Sequence, residues 1–267
     1  MVLALSPHLD DAAFSAGATL AQLAARGERV VVATAFTASV PAPTGFALAC
    51  QTDKGISPEV DYLALRRAED LAACRELGDG VAAEHWPLPE APHRGYGDAA
   101  ALFAGVRDGD DAIVTELTAR LRTRLAELDP HTVLYPVGAG GHVDHVQLIA
   151  AVDAVRAENP TVRWLQWYDQ PYVARNRLAY AELPFAPRAR GLAEVGPDAT
   201  ALAWPAPRDL AAGTDPLACK LRACAAYATQ VPYQFYVSRG QEAPPSEQWP
   251  ADIARVLGRK EWLCRVA

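Results

Sequence analysis

Apolar residues along this chain fall into two alternating textures. Short runs, Val2 to Leu5, Arg29 to Phe36, Ala82 to Leu88, Thr132 to Val137 and Val162 to Tyr168, read as strands. Where such runs are nearly continuous they suit parallel strands covered on both faces. Between them, Ala12 to Arg26, Tyr62 to Leu77, Ala112 to Leu128 and His142 to about Glu158 read as helices. Leu20, Leu23 and Ala24 form a core stripe on the first. Leu63, Ala64, Leu71, Ala72 and Leu77 are the core candidates on the second. Gly27, Gly78 and Asp129-Pro130 supply the stops. Strand, helix, strand repeated in this way predicts an α/β fold: a Rossmann-like, doubly wound, mostly parallel sheet with helices on both faces.

Two stretches break the alternation. Val40 to Pro58 carries Pro41, Pro43, Gly45 and Gly55 and reads as a long structureless loop or lid. Pro87 to Asp108 is irregular in the same way. Both are expected to stand around the crevice of the site. Farther on, Gln170 to Pro197 mixes prolines with aromatics, and Ala199 to Trp204 reads as a strand. Asp215 to Thr229 reads as a helix, Gln241 to Pro250 as a polar loop, and Glu261 to Val266 as a last strand. No linker and no internal repeat appears, so residues 1–267 are expected to form one domain.

Composition narrows the function. With 25 basic and 32 acidic residues the formal charge is −7, which argues against non-specific nucleic-acid binding. No apolar run reaches the ~20 residues of a membrane span. The amino terminus lacks a basic leader, and its apolar start is broken by His8, Asp10 and Asp11. A cytoplasmic protein with no membrane partner is the expectation. Five cysteines, an odd number without C-x-x-C spacing, read as buried thiols and not as a disulfide framework or zinc ligands.

The chemistry lies in two polar clusters at equivalent topological places. His8, Asp10 and Asp11 follow the first strand; His142, Asp144 and His145 follow Thr132 to Val137, after a glycine-rich turn. In a doubly wound sheet the carboxyl ends of two such strands can face one crevice. Two imidazoles and one carboxylate with an open position make a catalytic zinc set. His8 and Asp11, three apart across a turn, can point at one ion, and His145 can complete it. Asp-Asp at a helix start taken alone would more simply be a cap. A phosphorylated receiver domain is disfavoured because His85-Trp86-Pro87 stands where its acceptor aspartate would be. His85, His93 and His131 read as loop or surface residues.

Pro7-His8-x-Asp10-Asp11 with His142-x-Asp144-His145 resembles the paired signature motifs of the LmbE/PIG-L family of zinc-dependent N-deacetylases. Arg66 and Glu69, the stretch Tyr168 to Tyr172, and Lys220…Tyr227-x-x-Gln230 also resemble family features. The resemblance implies that His8, Asp11 and His145 bind Zn2+, another divalent metal such as Fe2+ being the alternative. It implies that Asp10 is the general base, and that His142 serves the oxyanion or leaving amine with Asp144 orienting it. Arg66 and Tyr168 would contact substrate. Leu9 stands where the family commonly has proline and Ala12 where it commonly has glutamate. The implied activity is removal of an N-acyl group from a glucosamine-containing small molecule, by expectation a natural-product glycoside. Amide hydrolysis in sugar–inositol or sugar–malate thiol metabolism, or a catalytically silent sugar-binding protein, are the alternatives.

Overall fold

The computed structural model describes residues 1–172, 214–257, 261 and 263–266. The strand expected over 199–204, and most of 170–197, lie outside the described residues.

Six strands form one sheet: β1 (Val2–Ser6), β2 (Val30–Thr34), β3 (Val81–His85), β4 (Thr132–Pro136), β5 (Arg163–Trp167) and β6 (Leu263–Arg265), in the order β3-β2-β1-β4-β5-β6. The first five are parallel, and β6 runs antiparallel at the edge. The order reverses between β1 and β4, so the crevice of the doubly wound fold opens beyond their carboxyl ends. Both polar clusters emerge there.

Alternate residues of the central strands feed two cores. Val2, Ala4, Leu134, Leu165 and Trp167 join the layer of α1 (Asp11–Ala25), α3 (Tyr62–Leu77), α6 (Pro216–Ala225) and α7 (Trp249–Leu257). Leu3, Leu5, Val133 and Tyr135 join α4 (Ala112–Leu128) and α5 (Val143–Arg156). Burial on both faces explains why these strands read as continuous apolar runs. Among the described side chains, Cys50, Cys74, Cys219 and Cys224 are free thiols. No helix among the described residues is long and apolar enough to cross a membrane.

Four local expectations are corrected. The stretch expected to be structureless contains α2 (Gly45–Thr52). Its buried Gln51 donates to the carbonyls of Ser57 and Val60, folding the lid onto itself. Two turns between Pro43 and Gly55 are too short for periodicity to register. The loop expected up to Pro250 gives way to α7, which buries Trp249, Ile253 and Leu257. Pro250 sits in its first turn, where the missing N–H costs nothing. The helix expected to reach Thr229 ends at Ala225, because the chain beyond it turns to bond α3.

The fourth correction concerns Leu71, which is 44% exposed. The inner face of α3 is instead Tyr62, Leu63, Arg66, Glu69, Asp70, Ala73, Cys74 and Leu77. Three charged residues on a buried face defeat an apolar-stripe reading, and each has a partner described below. Replacing Leu134, fully buried in β4, with alanine should lower the unfolding free energy by about 2–5 kcal/mol. Leu71→Ala should change it by less than about 0.5 kcal/mol. Denaturant midpoints at constant slope check both.

Candidate active site

The turn after β1 holds an unusual backbone. Asp10 has φ 137°, in the region that favours glycine, and its carboxylate makes no cap to α1. Ser6 stabilises this turn: its hydroxyl donates to His8 O at 2.7 Å and accepts from Ala12 N at 3.1 Å. Strain of this kind costs about 1–3 kcal/mol and persists where surroundings enforce it. The result turns Asp10 and Asp11 inward, and both are buried. The plain capping reading of the pair is therefore replaced by a site geometry.

After β4, Gly138 and Gly140 take positive φ in the turn that leads to His142, the N-cap of α5. The imidazoles from the two turns meet. Ring centroids are 5.3 Å apart for His8 and His145, 4.9 Å for His8 and His142, and 5.5 Å for His142 and His145. Asp11 Oδ2 lies 3.4 Å from His8 Nδ1 and 3.2 Å from His145 Nε2. It also accepts the His8 backbone N–H at 2.9 Å.

Each ring is held from behind. His8 Nε2 meets Asp144 Oδ2 at 2.8 Å. His145 Nδ1 meets Asp169 Oδ1 at 2.6 Å, while Asp169 Oδ2 accepts the N–H groups of Gly138 and Ala139. These contacts leave His8 Nδ1 and His145 Nε2 facing the same carboxylate oxygen. Asp144 Oδ1 pairs with Arg94 Nη1 at 2.9 Å, and Arg94 in turn binds Asp110 and Gln147.

The position of Asp144 corrects an expectation. Its carboxylate serves His8 and Arg94, and does not orient His142. What reaches His142 is the Asp144 backbone N–H, which donates to Nδ1 at 3.2 Å. That leaves the His142 Nε2 to carry the ring proton in the neutral form.

Electrostatics follow the geometry. Burial, then the cationic His8, hold the His142 imidazole down to about 3, so it is neutral. Burial opposes charge on His145, but Asp11 and Asp169 overcome it and push the group up to about 9. Burial likewise opposes charge on His8, which Asp11 and Asp144 hold well above the ordinary imidazole range. Burial disfavours charge on Asp11 also, yet His145 and His8 keep it well below the usual carboxylate range. Asp10 behaves oppositely: burial and then repulsion from Asp11 push it up to about 8.

The donor set fits a divalent metal ion. His8, His142 and His145 offer ligand atoms within 4.8 Å of one another, with Asp11 between two of them. His145 Nε2 is buried, and its 3.2 Å contact with Asp11 Oδ2 lacks hydrogen-bond geometry. A buried polar atom without a well-formed hydrogen bond costs free energy, and a metal ligand role would remove that cost.

Of the other expected residues, Arg66 lies at the site. Its Nη2 is 3.9 Å from Asp10 Oδ2 and donates to Leu9 O at 3.0 Å; its Nη1 pairs with Glu90 at 2.5 Å. Tyr168 is buried just beyond β5, and the tyrosine whose ring meets the imidazoles is Tyr172, 5.8 Å from His145. Glu69 binds the N–H and hydroxyl of Thr229, both at 2.7 Å. Gln230 bonds the Tyr62 hydroxyl, Tyr227 bonds Asp70, and Lys220 pairs with Glu261. These residues brace the helices that carry the site.

Sequence reasoning missed Ser6 and Arg94, and reached Asp169 only within the stretch Tyr168 to Tyr172. Asp169 had a readable signal: it lies two residues past β5, the strand next to β4, at the same end of the sheet. Arg94 sits in an irregular segment and had none.

Fold and site together define a class, a doubly wound α/β fold with a cluster of histidines and carboxylates at the switch point that could hold a metal ion. The model of the family described as "PIG-L: GlcNAc-PI de-N-acetylase" matches residues 3–156, and the chain belongs to that family. It is 34% identical to a 2'-N-acetylparomamine deacetylase of Streptomyces fradiae, over 71% of this chain and 63% of that protein. It is 27% identical to a 1D-myo-inositol 2-acetamido-2-deoxy-alpha-D-glucopyranoside deacetylase of Kineococcus radiotolerans, over 96% of this chain and 77% of that one. The chain thus spans less than two thirds of the first relative's length. A crystal structure of teicoplanin deacetylase in a zinc-inhibited form superposes with a TM-score of 0.71 at 26% identity, covering 100% of this chain and 97% of that one.

Asp169→Asn should weaken divalent-metal affinity by about 10- to 100-fold, because the hydrogen bond that fixes His145 is altered. Competition with a chromogenic chelator checks this, with circular dichroism unchanged.

Proposed function

We propose that this protein is a metal-dependent amide hydrolase that removes an N-acetyl group from a glucosamine-containing small molecule, a glycosylated natural-product intermediate. The observation that carries the reading is the buried Asp10 carboxylate held beside a convergent donor set that also includes a neutral imidazole. A binding module has no use for that combination. The relatives named above, which act on N-acetylated amino sugars or glycosides by name, support the substrate class.

In this reading His8, Asp11 and His145 hold the ion, with Zn2+ the proposed metal. Both available ring nitrogens of the two histidines face Asp11, and a carboxylate ligand offsets more of the cation's charge than a third imidazole would. When bound, the ion supplies an acidified water and polarises the amide carbonyl.

The chain's own groups do the proton work. Asp10 takes the proton of the attacking water as its oxygen bonds to the acyl carbon. Arg66 already offsets part of the upward push on Asp10, and a bound cation would draw it further toward the ionised form that a base needs. His142 presents Nε2–H to the oxygen that gains charge as the carbonyl becomes tetrahedral. As the carbon–nitrogen bond breaks, the proton taken from water passes to the departing amine, giving acetate and the free amino sugar. Arg94 and Asp144 keep His8 in one orientation throughout. Arg66 sits close enough to Asp10 to steady its charge, and its proposed substrate contact would be made from the same place.

Asp10→Asn should keep metal affinity within about twofold and lower turnover by about 10²–10⁴-fold. Acetate release from N-acetylglucosaminides, with metal content measured on the same samples, checks it. Near-normal turnover in this variant would remove Asp10 as the base.

A further inference from the structure

Phe103 is 44% exposed, an unusual state for a phenylalanine that lies against a catalytic cluster. Its ring is edge-on to His142, with centroids 5.4 Å apart and planes at 87°. It meets Tyr172 at 6.4 Å, and Tyr172 meets His145 at 5.8 Å. Two aromatic rings thus pack against two of the three imidazoles, and one of them, Phe103, remains exposed. The turn at Gly140 runs close beneath it: a Cβ there would stand 3.9 Å from Phe103 Cε1.

The segment that presents this ring is anchored at several points. Arg94 bonds Asp110 at 3.0 Å, Tyr96 donates to Asp110 at 2.9 Å, and Arg107 N donates to the Tyr96 hydroxyl at 3.1 Å. Arg107 Nη1 also donates to Arg94 O at 3.1 Å. Ala101 N bonds Asp98, and Ala101 and Leu102 pack on Ala91, Tyr96 and Val143. A segment fixed in this way loses little freedom when a ligand covers the ring it carries.

We propose that Phe103 is a substrate-contact residue that stacks on the apolar face of the sugar ring carrying the scissile amide, making it a specificity determinant for cyclic amino sugars. The inference rests on the amide-hydrolase reading. Around a tetrahedral carbon the acyl substituent, the incoming oxygen, the charged oxygen and the departing nitrogen point in different directions. In the proposed reaction His142 serves the oxygen that gains charge, so the ring packed on His142 stands beside the amide being cleaved. A ring there is placed to meet the sugar that the amide nitrogen carries. A pyranose presents axial C–H groups on one face, and aromatic rings bind such faces well.

The test measures acetate release by wild type, Phe103→Ala and Phe103→Trp on two substrate series. One series fixes acetyl and varies the amine from an N-acetylglucosaminide to an acyclic N-acetyl amino alcohol. The other fixes the glucosaminide and lengthens the acyl chain. Phe103→Ala should raise KM for the glucosaminide roughly three- to tenfold, with kcat, melting temperature and metal affinity little changed. Phe103→Trp should restore KM to within about twofold, and the acyclic amide should be indifferent to both changes. An unchanged KM for the glucosaminide in Phe103→Ala overturns the proposal. So does a loss that follows acyl length at constant sugar. If wild type releases acetate from no glucosaminide, the hydrolase reading fails separately. Calorimetric binding of the same glucosaminide then decides for Phe103, with weakening in Phe103→Ala supporting it and equal affinity overturning it.

Discussion

One carboxylate oxygen, Asp11 Oδ2, sits between imidazole nitrogens contributed by two distant turns, and the architecture serves that meeting. The meeting requires β1 and β4 to be neighbours, so that both turns leave the same end of the sheet. It requires Asp10 to accept a positive-φ backbone, with which its side chain turns inward and makes no cap to α1. It requires Ser6 to hold that turn from below. Leu9, inside the turn, is fully buried against Tyr62 and Leu63. Packing thus helps to secure the turn.

Around this centre the protein places charge where most folds place hydrocarbon. Asp144, Asp169, Arg66, Arg94 and Asp70 are each largely removed from water and each has an opposite charge or a hydrogen-bond partner. Buried ion pairs are weak contributors to net stability, because desolvation offsets much of their attraction. Their value here is positional. Arg94 reaches from an irregular segment to Asp144, and Asp144 reaches to His8, 136 residues away in sequence. Glu69 and Gln230 tie α3 to the turn after α6 in the same manner. The irregular segments near the crevice are therefore built by polar contacts more than by apolar packing.

That distribution explains what could be read from the chain. The strands β1 to β5 and the helices α1, α3, α4 and α5 follow from apolar runs and periodicity, because they cover the two cores. His8, Asp10, Asp11, His142 and His145 could be picked out because their residue types cluster after two strands. Arg94 could not be grouped with them, since long-range polar pairs leave no periodic trace, whereas the place of Asp169 just past β5 was a usable signal. Asp144 was recognisable as a site residue, but its partner was not. An aspartate two positions from His142 lies beside it in sequence, while its side chain turns toward His8 across the crevice. The buried charged face of α3 misled for a related reason: periodicity finds apolar faces, and this one is polar.

The proposed chemistry depends on which groups around Asp11 serve as metal ligands. X-ray absorption spectroscopy on the protein loaded with one equivalent of zinc tests this most directly, since imidazole rings give distinct multiple-scattering features. Two imidazoles with oxygen neighbours at about 2.0–2.2 Å are predicted, and an Asp11→Ala variant should lose an oxygen neighbour supplied by the protein. Three imidazoles around the ion, unchanged by Asp11→Ala, would contradict the assignment and place His142 in the ligand set.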